Sequence, residues 1–330
     1  MRWIYRRLLT AFFTILSAAS LLFFLIRLMP GNPMDAFIAM MVQQYRGEMS
    51  YEEIVAQAKA LFGVMPTEPL WKQYLDFLRN IFTGNFGESM IDRAPISDYL
   101  TKALPWTAFV LSIALLISFV LGVGLGMFLA YKRGRTYEGA LTTFLMCWRG
   151  VPDYIVALAL LWIFSYYLKL FPIGGAYSPE VKPGLNFAFI KDVLWHATLP
   201  IMSYVLVHFA FWALMMRGST ISVLGEDYVT VAEARGLPTR RVMVTYVGKN
   251  AILPLFTMFM IAIGWIFGGS VFIETIYNYP GIGYYLVQAV SLRDYTLMQG
   301  CFMIIIIAVV TGTFLADLLY SKLDPRVRLE

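Results

Sequence analysis

Six stretches of about 20 mostly apolar residues dominate this 330-residue chain, each long enough to cross the hydrocarbon core of a bilayer as a helix. They fall at 8–29, 106–131, 141–168, 199–216, 253–276 and 297–320. In lipid every backbone N–H and C=O must find its partner within the protein, so spans of this length are helices. Composition agrees: 59% of residues are apolar and 14% charged, against about a quarter charged in soluble domains. The expectation is an all-α integral membrane protein, one transmembrane domain over 1–330 with six helices and its longest connections at 30–104 and 218–252.

Basic residues flanking spans are retained on the cytoplasmic side, and an even number of spans puts both termini together. The N-terminus (Arg2, Arg6, Arg7), the second-to-third connection (Lys132, Arg133, Arg135), the fourth-to-fifth connection (Arg217, Arg235, Arg240, Arg241, Lys249) and the tail (Lys322, Arg326, Arg328) hold 14 of the 26 Lys and Arg. Ten lie on the opposite side, six of them in 30–104, where nine acidic residues outnumber them. Both termini are therefore expected to be cytoplasmic. The net charge of +5 follows from this asymmetry and suits an anionic inner leaflet, so membrane lipid is an expected partner and nucleic acid is not. The basic start resembles a secretory signal, but its apolar core exceeds the usual 7–15 residues and no cleavage site follows, so it reads as an uncleaved first span. Cys147 and Cys301 fall inside spans and read as small buried side chains.

The 75 residues of 30–104 have ordinary soluble composition and read as a small helical extracytoplasmic insertion. Ser50 followed by Glu53 is a capping-box pattern, in which hydroxyl and carboxylate each satisfy a free amide at a helix start. The segment 171–195 reads as an extended loop. Ile282, Tyr285, Leu286 and Ala289 recur at helical spacing and predict a short amphipathic helix at the interface or dipping into the mouth.

The 218–252 connection carries the strongest pattern. Val229, Ala232 and Arg235 lie at i, i+3 spacing, and Gly236-Leu237-Pro238 closes that helix, because glycine takes the left-handed conformation and proline cannot continue the turn. Thr239 is placed to cap a second helix that runs to Pro254. Small residues at Ala232, Ala234 and Gly236 let a partner approach closely; the alternative is a solvated amphipathic loop.

These residues resemble a known family, the permeases of binding-protein-dependent ABC importers, in its dipeptide/oligopeptide branch. The loop matches through Glu226, Asp227, Tyr228, Val229, Ala232, Ala234, Gly236, Leu237, Arg241, Asn250 and Pro254. Arg27, Pro30, Gly31 and Pro33 are similar to the branch's opening signature. Glu274, Thr275, Pro280, Gly281, Gly283, Arg293, Asp294, Tyr295, Gln299 and Gly300 are similar to the stretch around its last two spans, and Asp317, Asp324, Pro325 and Arg326 to its C-terminal signature. The resemblance implies a type I importer permease fold. It also implies a coupling helix, formed by Tyr228, Val229, Ala232, Glu233, Ala234, Arg235, Gly236 and Leu237, that seats in a groove of an ATPase subunit. The implied partners are a second homologous permease, two ABC ATPase subunits and an extracellular or periplasmic solute-binding protein, in the cell membrane of a prokaryote. The implied cargo is di- or oligopeptides, with oligosaccharides or nickel chelates carried by close relatives.

The chain itself is expected to hydrolyse nothing and to bind no cofactor. The phosphate-cradling pattern G-x-x-x-x-G-K-[ST] is missing: around Gly248-Lys249, Met243 stands where its first glycine belongs and Asn250 where its hydroxyl belongs. ATP is left to another polypeptide.

Charges within spans are costly, about 2.5–3.5 kcal/mol on insertion scales, and should face protein or water. Arg149 and Asp153 are four apart, so one helix face would let them neutralise each other, with Pro152 kinking the span between them. They read either as a polar patch on the translocation path or as a structural pair steadying the kink. Glu274 lies near the outer end of its span, where it can shape a gate. His196 and His208 are 12 residues apart, about 18 Å along a helix, too far to share a metal. Gly122, Gly124, Gly126, Gly268 and Gly269 read as close-packing positions. An ion-coupled transporter would match intramembrane carboxylates in pairs, and no second acid is evidently matched to Asp153.

Overall fold

A computed structural model describes residues 2–29, 33–44, 49–62, 69–268 and 270–323. Among them the regular structure is helical: α1 (Arg2–Leu28), α2 (Pro33–Gln44), α3 (Tyr51–Phe62), α4 (Leu70–Thr83), α5 (Ile96–Tyr131), α6 (Thr136–Trp148), α7 (Asp153–Leu160), α8 (Phe187–Leu224), α9 (Asp227–Ala234), α10 (Thr239–Arg241), α11 (Lys249–Trp265), α12 (Val271–Ile276), α13 (Ile282–Leu292) and α14 (Tyr295–Leu323). Wide π-helical turns extend α7 over Leu161–Tyr167 and join α10 to α11 over Val242–Gly248. Five helices are long and apolar enough to cross a membrane, and the pair α6 and α7 with its π turn makes a sixth if taken as one broken span.

The span boundaries differ from the sequence reading in three places. The fifth span lies at Thr239–Trp265, not at 253–276: α11 gives way to a short 3-10 turn at Ile266–Gly268 and α12 is a separate helix. Gly268, with no side chain to hold the helical turn, stands where the 3-10 turn ends. The fourth span starts at Phe187, inside the segment expected to be extended, because the Asn186 side chain accepts the Phe189 amide at 2.8 Å and caps a 38-residue helix. The third span turns through 96° between Trp148 and Asp153, far more than the kink a proline alone imposes.

The chain divides into two compact units, each drawn from separated stretches of sequence. The first comprises Met1–Thr107, Phe267–Thr275 and Pro280–Phe314. Its core joins Leu22 and Ile26 of α1, Ile96 and Leu100 of α5, Ile282, Leu286 and Ala289 of α13, and Met298 and Cys301 of α14. Three of the four residues that predicted an amphipathic helix at 282–292 are thus its inward face, with Tyr285 packed alongside. The insertion packs on α1 through Tyr74, whose hydroxyl lies 2.6 Å from Ser20 Oγ and whose ring stacks on Phe24. The capping box forms as expected: the Ser50 amide donates to Glu53 Oε2 at 2.9 Å and the Glu53 amide to Ser50 Oγ at 3.2 Å.

The second unit comprises Ala108–Ile266, Ile276–Tyr279 and Leu315–Glu330. Here α5 lies against α8 at glycines: a Cβ on Gly122 would stand 2.4 Å from Trp212 Cβ, and one on Gly126 2.3 Å from the Ala213 carbonyl oxygen. Gly124, on another face, has open space around it, and Gly268 meets only an ordinary contact, so two of the four predicted glycines that are described do the close packing. Gly269 lies outside the described residues. So do Pro30 and Gly31 of the opening signature, and Asp324, Pro325 and Arg326 of the closing one. Cys301 is buried as expected, whereas Cys147 on α6 is exposed.

Candidate functional site

Helix α9 forms where the i, i+3 pattern placed it. Glu226 starts it through its backbone carbonyl, which accepts the Val229 amide at 3.0 Å, and Asp227 complements the positive end of the helix dipole. At the other end Gly236 takes φ +72°, its amide donates to Glu233 O at 2.8 Å, and the Leu237 amide donates to Ala232 O at 3.4 Å. That pair of bonds is the Schellman closure, and Leu237 completes it by packing on the cluster that holds Ala232. The Thr239 side chain makes no capping bond; α10 begins instead from Pro238, whose fixed φ suits a helix start.

The helix has two distinct faces. Val229 and Ala232 are buried against Val242, Met243 and Val247, three residues that the π turn brings to one side. Small size at Ala232 therefore serves packing within this chain. Tyr228, Val231, Glu233, Ala234, Arg235 and Gly236 are exposed and form the face available to another molecule. The Asn250 amide nitrogen donates to the Tyr228 hydroxyl at 3.0 Å and to Tyr246 O at 2.8 Å, fixing α9 against the beginning of α11.

Glu274 is 3% exposed and its carboxylate is fully engaged inside the first unit. Oε1 accepts Thr107 Oγ1 at 2.9 Å, and Oε2 accepts the amides of Gly283 at 2.7 Å and Tyr284 at 3.3 Å. The Ile282 amide donates to Thr107 Oγ1 at 2.9 Å, so the free amides at the start of α13 are met by one acid and one hydroxyl from outside the helix. A Cβ at Gly281 would stand 2.4 Å from Glu274 Cδ, and one at Gly283 2.6 Å from Val271 Cα, which is why this carboxylate needs glycines around it. Asp294, 1% exposed, does the same for α14: Oδ1 accepts the Leu297 amide at 3.0 Å while Oδ2 accepts Ser89 Oγ at 2.5 Å and the Met90 amide at 3.1 Å.

Arg149 and Asp153 do not share a helix face. Arg149 caps the C-terminus of α6, Asp153 opens α7, and the 96° turn separates them. The Arg149 guanidinium lies over the Phe211 ring at 5.2 Å from its centroid, and Asp153 Oδ2 stands 3.6 Å from His208 Nε2. The His208 ring packs at a tilt of 31° against Tyr204, with centroids 3.9 Å apart. Tyr204, His208 and Phe211 are spaced i, i+4, i+7 along α8, so one stripe of that helix receives both charged residues; the spacing is visible in the sequence. His196, the other histidine, contacts its own turn, with Nδ1 2.9 Å from Asp192 O.

Sequence reasoning also missed a partly buried ion pair. Arg217 near the end of α8 meets Glu138 in the first turn of α6, with Nη2 and Nε each 2.7 Å from Oε1, and Thr142 Oγ1 donates to the same oxygen at 3.1 Å. The two residues are 79 apart in sequence and no local pattern joins them.

The described residues form a multi-pass helical body with a two-faced helix between its fourth and fifth spans, an arrangement that fits a membrane transport component. The chain matches the family described as binding-protein-dependent transport system inner membrane component over residues 122–329, and it belongs to that family. It is 31% identical over 339 residues to the di/tripeptide transport system permease protein DppB of Pseudomonas aeruginosa, covering 99% of this chain and 98% of that one. It is 32% identical over 330 residues to a Brucella suis protein named as a peptide permease, covering 100% and 99%. The dipeptide transport system permease protein DppB of Escherichia coli K12 is 28% identical over 344 residues, covering 99% of both. The chain is thus a permease component of a binding-protein-dependent transporter, resident in a prokaryotic inner membrane.

Proposed function

We propose that this chain is one of a pair of homologous permeases in an ATP-driven importer of di- or oligopeptides, completed by two ATPase subunits and a solute-binding protein. Near-complete coverage by relatives named for peptide and dipeptide transport supports the cargo. The observation that carries the mechanism is the two-faced α9: Val229, Ala232 and Leu237 hold it to its own chain, leaving Tyr228, Glu233, Ala234, Arg235 and Gly236 as the surface that docks on an ATPase. The distribution of Lys and Arg supports a cytoplasmic position for this face and both termini. ATP is bound by the partner subunits. Its binding draws the docked helices together, the π turn and Asn250 pass that movement to α11, and the paired permeases open outward. Energy enters as the difference in nucleotide affinity between two states. Arg149 and Asp153 line the path, and Glu274 shapes the outer mouth by holding α13 in place.

The test is a cysteine at Ala234 in the complete reconstituted transporter. It should cross-link to an ATPase subunit carrying single cysteines around its membrane-facing groove, and the cross-link should block ATP-driven uptake of dialanine. Labelling of that cysteine only from the external side of sealed cells would overturn the assignment.

A further inference from the structure

The stripe on α8 does more than steady a bend. Asp153 and His208 sit within apolar spans, yet each side chain is 35% exposed, and their charge-bearing atoms are 3.6 Å apart, beyond hydrogen-bond range. Asp153 makes no hydrogen bond among the described residues, and the Arg149 guanidinium is laid on Phe211 instead of meeting it. A carboxylate left half open at this depth is stable only against water or a partner cation, since lipid would penalise it. Its neighbour His208 is backed by the Tyr204 ring, and Phe211 follows one turn on along the same helix. A carboxylate on such an aromatic stripe suits a protonated amine, through a charge-assisted hydrogen bond and the attraction of a cation to π faces.

We infer that Asp153, with Tyr204 and His208, forms a cation-selective subsite on the translocation path that takes the protonated amine of passing cargo. The inference rests on the importer reading above and adds the charge class that this chain itself recognises, separately from the binding protein. Asp153 supplies the charge, His208 stands beside it, and the Tyr204 ring packs against the imidazole. Arg149 supplies the opposite charge along the same stripe, so the second pole of a zwitterion finds its match a turn away.

The experiment uses the complete transporter in proteoliposomes, freed of other reactive cysteines, with His208→Cys as reporter. Its labelling rate is measured with a cationic trimethylammonium-ethyl and an anionic sulfonatoethyl methanethiosulfonate, without nucleotide and in the vanadate-trapped state. The ratio of the two rates, referred to the same ratio for free cysteine, should favour the cation about tenfold in one of the two states, the scale of one charge a few ångströms away in a partly wet site. Asp153→Asn should bring the ratio to about one, Asp153→Glu should keep it, and dialanine should slow the labelling. A ratio unchanged by Asp153→Asn, or no labelling in either state, overturns the subsite. Loss of ATP-driven dialanine uptake in the unmodified transporter would instead overturn the importer reading, so the two failures are distinguishable.

Discussion

The side-chain amide of Asn250 donates to the hydroxyl of Tyr228 at 3.0 Å, tying α9 to the first turn of α11 across 22 residues of sequence. The same amide group donates to Tyr246 O at 2.8 Å, so a single residue holds the π turn and α9 together. An exposed hydrogen bond of this kind is worth about 0.5–1.5 kcal/mol net, enough to bias a moving joint but not to hold the fold. Tyr228→Phe and Asn250→Leu should each lower uptake several-fold per ATP hydrolysed while the complex still assembles. The double variant should be no worse than the more severe single one. Equal loss of ATPase activity and uptake would show that the bond does not transmit motion.

Gly236 is required by its backbone, since a Cβ there would meet open space while φ +72° is left-handed. A β-branched residue in that conformation costs about 1–2 kcal/mol, and refolding the turn would break the Schellman closure on which the exposed face depends. Gly236→Val should abolish ATP-driven uptake in reconstituted vesicles with the protein still folded, and Gly236→Asn, which tolerates the left-handed region, should retain much of it. Normal transport by Gly236→Val would remove the docking role from this turn.

Glu274 is expected to matter for stability before anything else. Glu274→Gln presents an NH2 group where the Gly283 or Tyr284 amide, or the Thr107 hydroxyl, needs an acceptor. Leaving a buried group unmet costs about 1–3 kcal/mol, read as a lower melting temperature of the purified protein in detergent. Gly281→Ala should be at least as damaging, because its Cβ would overlap the carboxylate. An unchanged melting temperature for both would contradict the arrangement.

The Glu138–Arg217 pair makes a comparative prediction. The Glu138 side chain is 7% exposed and that of Arg217 23%, so removing the arginine strands a buried carboxylate, removing the glutamate strands a partly buried guanidinium, and replacing both with apolar residues leaves neither. Glu138→Leu and Arg217→Leu should each lower the melting temperature more than the double variant does. A double variant that is the sum of the two would mean that the charges act independently.

Much of this was legible locally. The spans could be counted because 20 apolar residues in a row have one stable arrangement in lipid, and α9 with its glycine closure could be placed because i, i+3 spacing and a Gly-Leu-Pro stop are properties of adjacent residues. The inward turn of Ala232 was harder: a small residue on a short helix suits a partner as well as a core, and only the packing of Val242, Met243 and Val247 decides between them. The expected Arg149–Asp153 pairing failed because i, i+4 neighbours meet only on a continuous helix, and the chain turns through 96° between them.

By itself, then, the sequence determined the membrane-spanning character, the asymmetry of basic charge and the position of the capped loop helix, because hydropathy, charge and backbone preference act over a few residues. Tertiary structure alone decided which acids are engaged and by what. Glu274 reaches Thr107 across 167 residues, Asp294 reaches Ser89 across 205 and Asp153 of α7 faces His208 of α8, since these partners depend on how helices cross. A buried carboxylate takes whatever donors that crossing brings within about 3 Å, and no spacing along the chain encodes them.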